Sequence, residues 1–200
     1  MDAVKIHRIR LGTCNAYVIE CGDSCILFDG GNRHREAGFF RGLDRLGISP
    51  GRIRLIIVSH VHFDHVGSLA KIREVCTCPV LVHKLESRLL ASGKVVVPPG
   101  ATPFGRLVSG VGTVLQRRGA LGFEPVQADI LFEDPLELSA FHVPGRLIHT
   151  PGHTGGSISL VLENGMAVVG DLVMNYLPLG LGPVFPPFAE DVGLVLKNWK

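Results

Sequence analysis

Residues 53–58, Ile-Arg-Leu-Ile-Ile-Val, run directly into Ser59-His60-Val61-His62-Phe63-Asp64-His65-Val66-Gly67. A short, nearly continuous apolar run is how a strand reads when both faces of its sheet are covered. Three of the chain's nine histidines and one carboxylate therefore stand at the end of a buried strand. In extended backbone, side chains two apart point the same way, so His60 and His62 can reach one metal ion. Asp64 and His65 fall where the strand gives way to a loop and helix, and can face a second position. Zinc takes nitrogen and carboxylate ligands at about 2.0–2.2 Å, and paired ions stand roughly 3.5–4 Å apart. Four donors in six residues suit two ions better than one.

Around this strand the pattern alternates between periods of two and about 3.6. Residues 4–10, 14–20 and 25–28 read as an antiparallel meander that ends at Asp29-Gly30-Gly31-Asn32. That carboxylate is either part of a turn or outer support for a nearby site. Residues 35–46 and 67–76 predict helices, and 79–83 a further buried strand, which makes the first half an α/β layered arrangement. Residues 84–92 predict a short helix. Residues 104–118 carry an apolar stripe interrupted by Gly110 and Gly112, readable as a packed helix or as a movable cover. Strands follow at 129–132, 136–142 and 146–149. Then comes the tight loop Thr150-Pro151-Gly152-His153-Thr154, and a hairpin of 157–162 with 166–169 turns across Asn164-Gly165. The hairpin ends at Gly170-Asp171. A proline-rich loop at 178–187 and a helix at 189–200 complete the pattern.

Composition narrows the function classes. With 46% hydrophobic residues the chain can build a sizeable core. A net charge of +2, with scattered basic residues, gives no case for a nucleic-acid partner. No apolar run approaches the roughly 20 residues of a bilayer span, and the N-terminus lacks a signal-peptide core. A cytoplasmic location, no membrane partner and a small-molecule substrate are expected, while the oligomeric state has no signature. The five cysteines read as free thiols, most of them buried, with a Cys21–Cys25 bridge across a hairpin as the alternative.

His60-x-His62-x-Asp64-His65 resembles the signature of the metallo-β-lactamase-fold superfamily of metallohydrolases. Asp29-Gly30, Thr150-Pro151-Gly152-His153-Thr154 and Gly170-Asp171 resemble its later landmarks, in family order. The resemblance implies a single domain over residues 1–200 in an α/β (α+β) class. Its architecture would be a four-layered αββα sandwich of two mixed sheets, with 84–125 as a lid or insert. It implies His60, His62 and His153 on a first metal, and Asp64 and His65 on a second, with Asp171 bridging and Asp29 outside. The family's final histidine has no counterpart before Lys200, so the last part of the fold is expected to be absent and the second site to be short of a ligand.

The expected activity is metal-dependent hydrolysis, in which a metal-bound hydroxide attacks an ester, thioester, lactone or related centre. Asp64 and Asp171 are the catalytic carboxylates. Zinc is the expected cofactor, as one or two ions, with iron or manganese as alternatives. Two other readings remain open. One is a mononuclear iron enzyme resembling persulfide dioxygenases, with His60 or His62, His153 and Asp171 as ligands. The other is a non-catalytic, metal-binding form of the fold. Segments 84–125 and 176–188 are expected to wall the cleft; both carry few charges, which points to a neutral or acyl-bearing substrate.

Overall fold

The computed structural model describes residues 3–118, 121–176 and 181–200. Strands β1 (Lys5–Arg10), β2 (Asn15–Cys21) and β3 (Ser24–Phe28) form the expected antiparallel meander, with Lys5 opposite Glu20 and Tyr17 opposite Phe28. Helix α1 (Glu36–Leu46) leads to β4 (Ile53–Val58). Helices α2 (Phe63–Val66) and α3 (Leu69–Cys76) lead to β5 (Val80–His83). Helices α4 (Ser87–Ser92) and α5 (Pro103–Arg117) lead to β6 (Ile130–Phe132). Because each of these connections is a helical crossover, β3, β4, β5 and β6 pair in parallel. The result is a six-stranded mixed sheet in the order β1-β2-β3-β4-β5-β6.

Strands β7 (Leu136–Glu137), β8 (Gly145–His149), β9 (Ile158–Leu162) and β10 (Ala167–Val168) form a second sheet in the order β10-β9-β8-β7. This sheet is antiparallel throughout where a mixed one was expected, since its connections are short turns with no crossover helix. A two-stranded ribbon, β11 (Met174–Tyr176) with β12 (Leu181–Val184), and helix α6 (Val192–Asn198) follow.

Two local expectations change. The strand expected over 136–142 stops at Glu137, and Ser139–Phe141 forms a tight helical turn. Pro144 follows at once and cannot donate a ladder hydrogen bond, which favours a break over a continued strand. The loop expected over 178–187 contains β12, held by pairing of Met174 with Val184; residues 178–180 of it lie outside the described residues. As for the cysteines, the hairpin register sets Cys21 opposite Ser24 and Cys25 opposite Glu20, so it does not bring the two sulfurs face to face.

The layers follow from alternation. Cys25, Leu27, Ile56 and Val58 face a core closed by Phe39 and Leu43 of α1, Leu69 and Ile72 of α3 and Leu90 of α4. Ile26, Phe28, Leu55 and Ile57 face the opposite way and meet Leu147, Ile158 and Leu160 of the second sheet. Val168 belongs to that inter-sheet core, whereas its neighbour Val169 packs on the far side with Val195 of α6. Helices, sheet, sheet, helix is the αββα order. Each large apolar side chain buried this way contributes roughly 1.5–3 kcal/mol.

Helix α5 is the exception. Of its residues only Gly105 is buried, while Phe104, Leu107, Val111 and Val114 stand 49–69% exposed. The packed-helix reading of 104–118 is therefore overturned: the stripe has the right spacing, but among the described residues no core covers it. The helix owes its start to Thr102, whose hydroxyl accepts from Gly105 N at 3.0 Å, and to Pro103 in the first turn.

Candidate metal centre

The end of β4 is tied to the end of β3 before any histidine is placed. Asp29 takes a left-handed conformation, φ 67°, which Asp tolerates better than most residues. Its carboxylate accepts from Ser59 N at 2.8 Å and Ser59 Oγ at 2.8 Å, and meets His65 Nδ1 at 2.8 Å. Gly30 N donates to the carbonyl of His65, and Gly67 N to that of Gly31, lacing the two loops together. Gly67 is required here: a Cβ on it would lie 2.3 Å from Arg33 N. The expectation for Asp29 as turn or support resolves to support.

His60, His62, His65 and His153 are all buried. Nε2 of His60 and Nε2 of His153 each lie 3.0 Å from Nδ1 of His62. The far nitrogens settle the protons. His153 Nδ1 is 2.9 Å from the Phe188 carbonyl oxygen, which can only accept, so Nδ1 carries hydrogen and Nε2 presents a lone pair. Ser59 spends its one hydroxyl proton on Asp29, so His60 Nδ1, 2.9 Å away, donates to Ser59 Oγ. His60 Nε2 is then bare as well. Burial, with the neighbouring imidazoles, holds His60 and His62 well below the usual histidine range, so both rings are neutral at pH 7. Two lone pairs converge on His62 Nδ1, where a single proton satisfies one of them. A cation satisfies all three, which is the donor set of a His₃ site.

A second group adjoins the first. His65 Nε2 lies 3.3 Å from Asp171 Oδ1, and Asp171 Oδ2 lies 3.5 Å from His153 Nε2. Asp171 thus reaches both groups from the short helical turn Gly170–Leu172 that follows β10. Burial opposes a charge on His65, but Cys14 and the carboxylates of Asp171 and Asp29 outweigh it and raise the imidazole well above its ordinary value. Burial likewise works against ionised Asp171, but the charge of His65 and its hydrogen bond, with the other imidazoles around it, hold it below the usual carboxylate range. His60, His65 and Asp171 present one ligand atom each within 4.8 Å of one another, as do His60, His62 and His153.

Asp64 joins neither of these groups. It lies in the first turn of α2, with Oδ2 3.3 Å from Thr13 Oγ1, and burial raises its carboxyl from the ordinary value. The remaining histidines lie elsewhere: His7 pairs with Glu20 at 2.8 Å, and His83 stacks on His149 with ring centres 4.2 Å apart.

Several functional neighbours had no sequence signal. Glu86 is buried and accepts from Val61 N at 3.0 Å and Gly156 N at 3.2 Å, joining the loop of His60 and His62 to that of His153. Cys14 Sγ lies 3.6 Å from His65 Nδ1, and burial pushes its thiol up to about 11. The Phe188 carbonyl is backbone, which no residue type marks. Ser59 stands inside the motif stretch, and a hydroxyl beside a candidate ligand histidine is a cue that could have been read.

Comparison with known proteins agrees with this geometry. The family model described as the metallo-beta-lactamase superfamily matches residues 9–198. A probable metallo-hydrolase of Bacillus subtilis, YqgX, is 28% identical over 176 residues, covering 86% of this chain and 72% of the relative. A probable metallo-hydrolase of Methanocaldococcus jannaschii, MJ0888, is 33% identical over 162 residues, covering 81% and 68%. Among solved structures, BJP-1, a subclass B3 metallo-beta-lactamase of Bradyrhizobium japonicum, superposes with a TM-score of 0.68 at 20% identity, over 100% of this chain and 70% of that one. A beta-lactamase from Chitinophaga pinensis gives 0.60 at 23% identity, with coverage of 80% of this chain and 55% of its own. The chain thus spans between about half and three quarters of the proteins it matches.

Proposed function

The chain belongs to the metallo-beta-lactamase superfamily, and from that premise we propose that it is a metal-dependent hydrolase of an ester, thioester, lactone or related bond. His60, His62 and His153 would hold one divalent cation, zinc in the first instance. His65 and Asp171 would line a second position, with Asp64 beside it but outside the group. The observation that carries this reading is the approach of His60 Nε2 and His153 Nε2, each to 3.0 Å from His62 Nδ1, where one proton cannot satisfy both.

Bound there, a divalent cation would supply Lewis-acid chemistry, activating water near neutral pH and polarising an electrophile. The chain's own groups do the rest. Ser59 and the Phe188 carbonyl fix the tautomers of His60 and His153. Asp171, kept ionised, accepts a hydrogen bond from the attacking water and orients it. Asp64, raised by burial and held by Thr13, is suited to carry a proton from nucleophile to leaving group.

The test is elemental analysis of protein purified without added metal, followed by an ester and thioester panel with and without chelator. Activity removed by chelator and restored by zinc is expected. Turnover that survives chelation with the metal gone overturns the reading. A second reading has one observation in its favour: His60, His65 and Asp171 make a two-histidine, one-carboxylate set, the donor pattern of mononuclear iron oxygenases. One iron per chain and no esterase activity would select it.

A further inference from the structure

A cavity of about 420 Å³ opens beside the metal centre on the Asp64 side. Its wall includes Thr13, Asn32, Arg33, Arg35, Phe63 and Leu121. Thr13 connects it to the centre, since the same hydroxyl that lines the cavity lies 3.3 Å from Asp64 Oδ2. Phe63 is the residue before Asp64 and is 37% exposed.

The polar groups of this wall are donors. Asn32 turns its Oδ1 to Thr13, accepting from the backbone N at 2.8 Å and facing the hydroxyl at 3.0 Å. Its amide NH₂ is left without a partner among the described residues. Arg33 and Arg35 are exposed, and neither guanidinium has an ion-pair partner among the described residues. Among the described residues the wall contains no carboxylate. Two acids adjoining the lining residues in sequence are engaged: Glu36 Oε2 accepts from Ser68, and Asp64 Oδ2 accepts from Thr13. Opposite the donors, Phe63 and Leu121 supply an apolar surface.

Two unpaired guanidiniums and a free amide over a wall without acids make a receptor for a small anion, because the planar guanidinium fork matches carboxylate and phosphate oxygens. We propose that this cavity is a substrate subsite that takes an anionic group, carboxylate or phosphate, carried next to an apolar portion. The inference rests on the hydrolase reading for the word substrate, but anion binding itself does not. On this proposal the cations come from residues 33–35, outside the segments 84–125 and 176–188 expected to wall the cleft.

The test is an NMR titration of the zinc-loaded chain with phenyl phosphate, with benzoate and with neutral benzyl alcohol. Shifts at the amides of Thr13, Phe63 and Gly122 are expected for at least one anion. In the Arg33→Ala/Arg35→Ala double variant its apparent Kd should weaken about tenfold or more. Whichever anion binds more tightly and loses more identifies the group recognised. Both side chains are exposed, so the melting temperature should hold. If it does not, Arg33→Gln and Arg35→Gln singly should each show a smaller loss. Unchanged affinity in these variants, shifts confined to the histidine loops, or an equal response to benzyl alcohol overturns the proposal. A parallel assay compares 4-nitrophenyl hemisuccinate with the neutral butyrate. Wild type should prefer the hemisuccinate through KM, and the double variant should lose that preference. Anion binding with hydrolysis of neither ester would sink the hydrolase reading and leave the anion site standing.

Discussion

Nδ1 of His153 donates to the carbonyl oxygen of Phe188 at 2.9 Å, across 35 positions of chain. Phe188 forms an isolated antiparallel bridge with Gly100, and Pro187 O accepts from Ala101 N at 2.8 Å. The orientation of a candidate metal ligand is therefore tied to the segment that begins α5. Gly105 is the tightest point of that tie: a Cβ on it would lie 1.9 Å from Pro187 O. Gly105→Ala is expected to displace residues 187–189, to destabilise by about 1–3 kcal/mol and to weaken zinc binding. Gly110→Ala, where a Cβ meets open space, should stabilise by about 0.5–1 kcal/mol and leave zinc binding unchanged. Urea melts and a chelator competition on both variants separate the outcomes.

Glu86 makes the corresponding tie for the other loops. Glu86→Gln keeps the shape but sets an amide N–H against Val61 N or Gly156 N. The expected loss is about 1–3 kcal/mol, with weaker zinc binding because the His60–His62 and His153 loops are no longer held together. An unchanged melting temperature would show that the two hydrogen bonds contribute nothing.

For the metal-free chain, pH dependence follows from the buried imidazoles. His60 and His62 titrate below their ordinary value in the folded state, so between pH 6.5 and 5.5 the unfolded chain binds more protons than the folded one. Stability should fall with acid across that window, by up to about 1.4 kcal/mol per pH unit for each ring. His65, raised in the folded state, acts at the other end: its contribution is full below about pH 6.5 and fades as pH climbs through its folded value. Thermal melts of the chelated protein from pH 5.5 to 6.5 should show a melting temperature that rises with pH. A flat profile would contradict the neutral, buried assignment of the two rings.

The exposure of α5 has a simple consequence. Leu107→Ser, at a side chain 69% exposed, should change stability by less than about 0.5 kcal/mol. Phe39→Ala, fully buried under the first sheet, should cost about 3–5 kcal/mol. Equal effects in a denaturant series would mean that α5 packs against something after all.

These contrasts show where the sequence was legible. β4 and the histidine cluster could be read because a buried parallel strand leaves an unbroken apolar run, and because four donors in six residues have no packing explanation. His153 and Asp171 gained meaning only jointly, through the resemblance. What could not be read has physical causes. Glu86 sits in the ordinary-looking stretch Lys84-Leu85-Glu86, and only the tertiary approach of Gly156 gives it work. Phe188 acts through a carbonyl that every residue has. Periodicity established that α5 is a helix with an apolar face, but whether a face is covered depends on what the rest of the chain brings to it. Arg33 and Arg35 carry no sequence signal of their own; only the cavity they share with Thr13, Phe63 and Leu121 sets them together.

The most direct measurement is equilibrium dialysis against zinc with elemental analysis, on wild type and His62→Ala. His62 Nδ1 is the atom shared by both short contacts, to His60 and to His153. The account predicts at least one zinc per wild-type chain, and a loss of affinity of roughly a hundredfold or more in the variant with its circular dichroism unchanged. A wild-type chain that holds no zinc, or a variant that binds it as tightly as wild type, would contradict it.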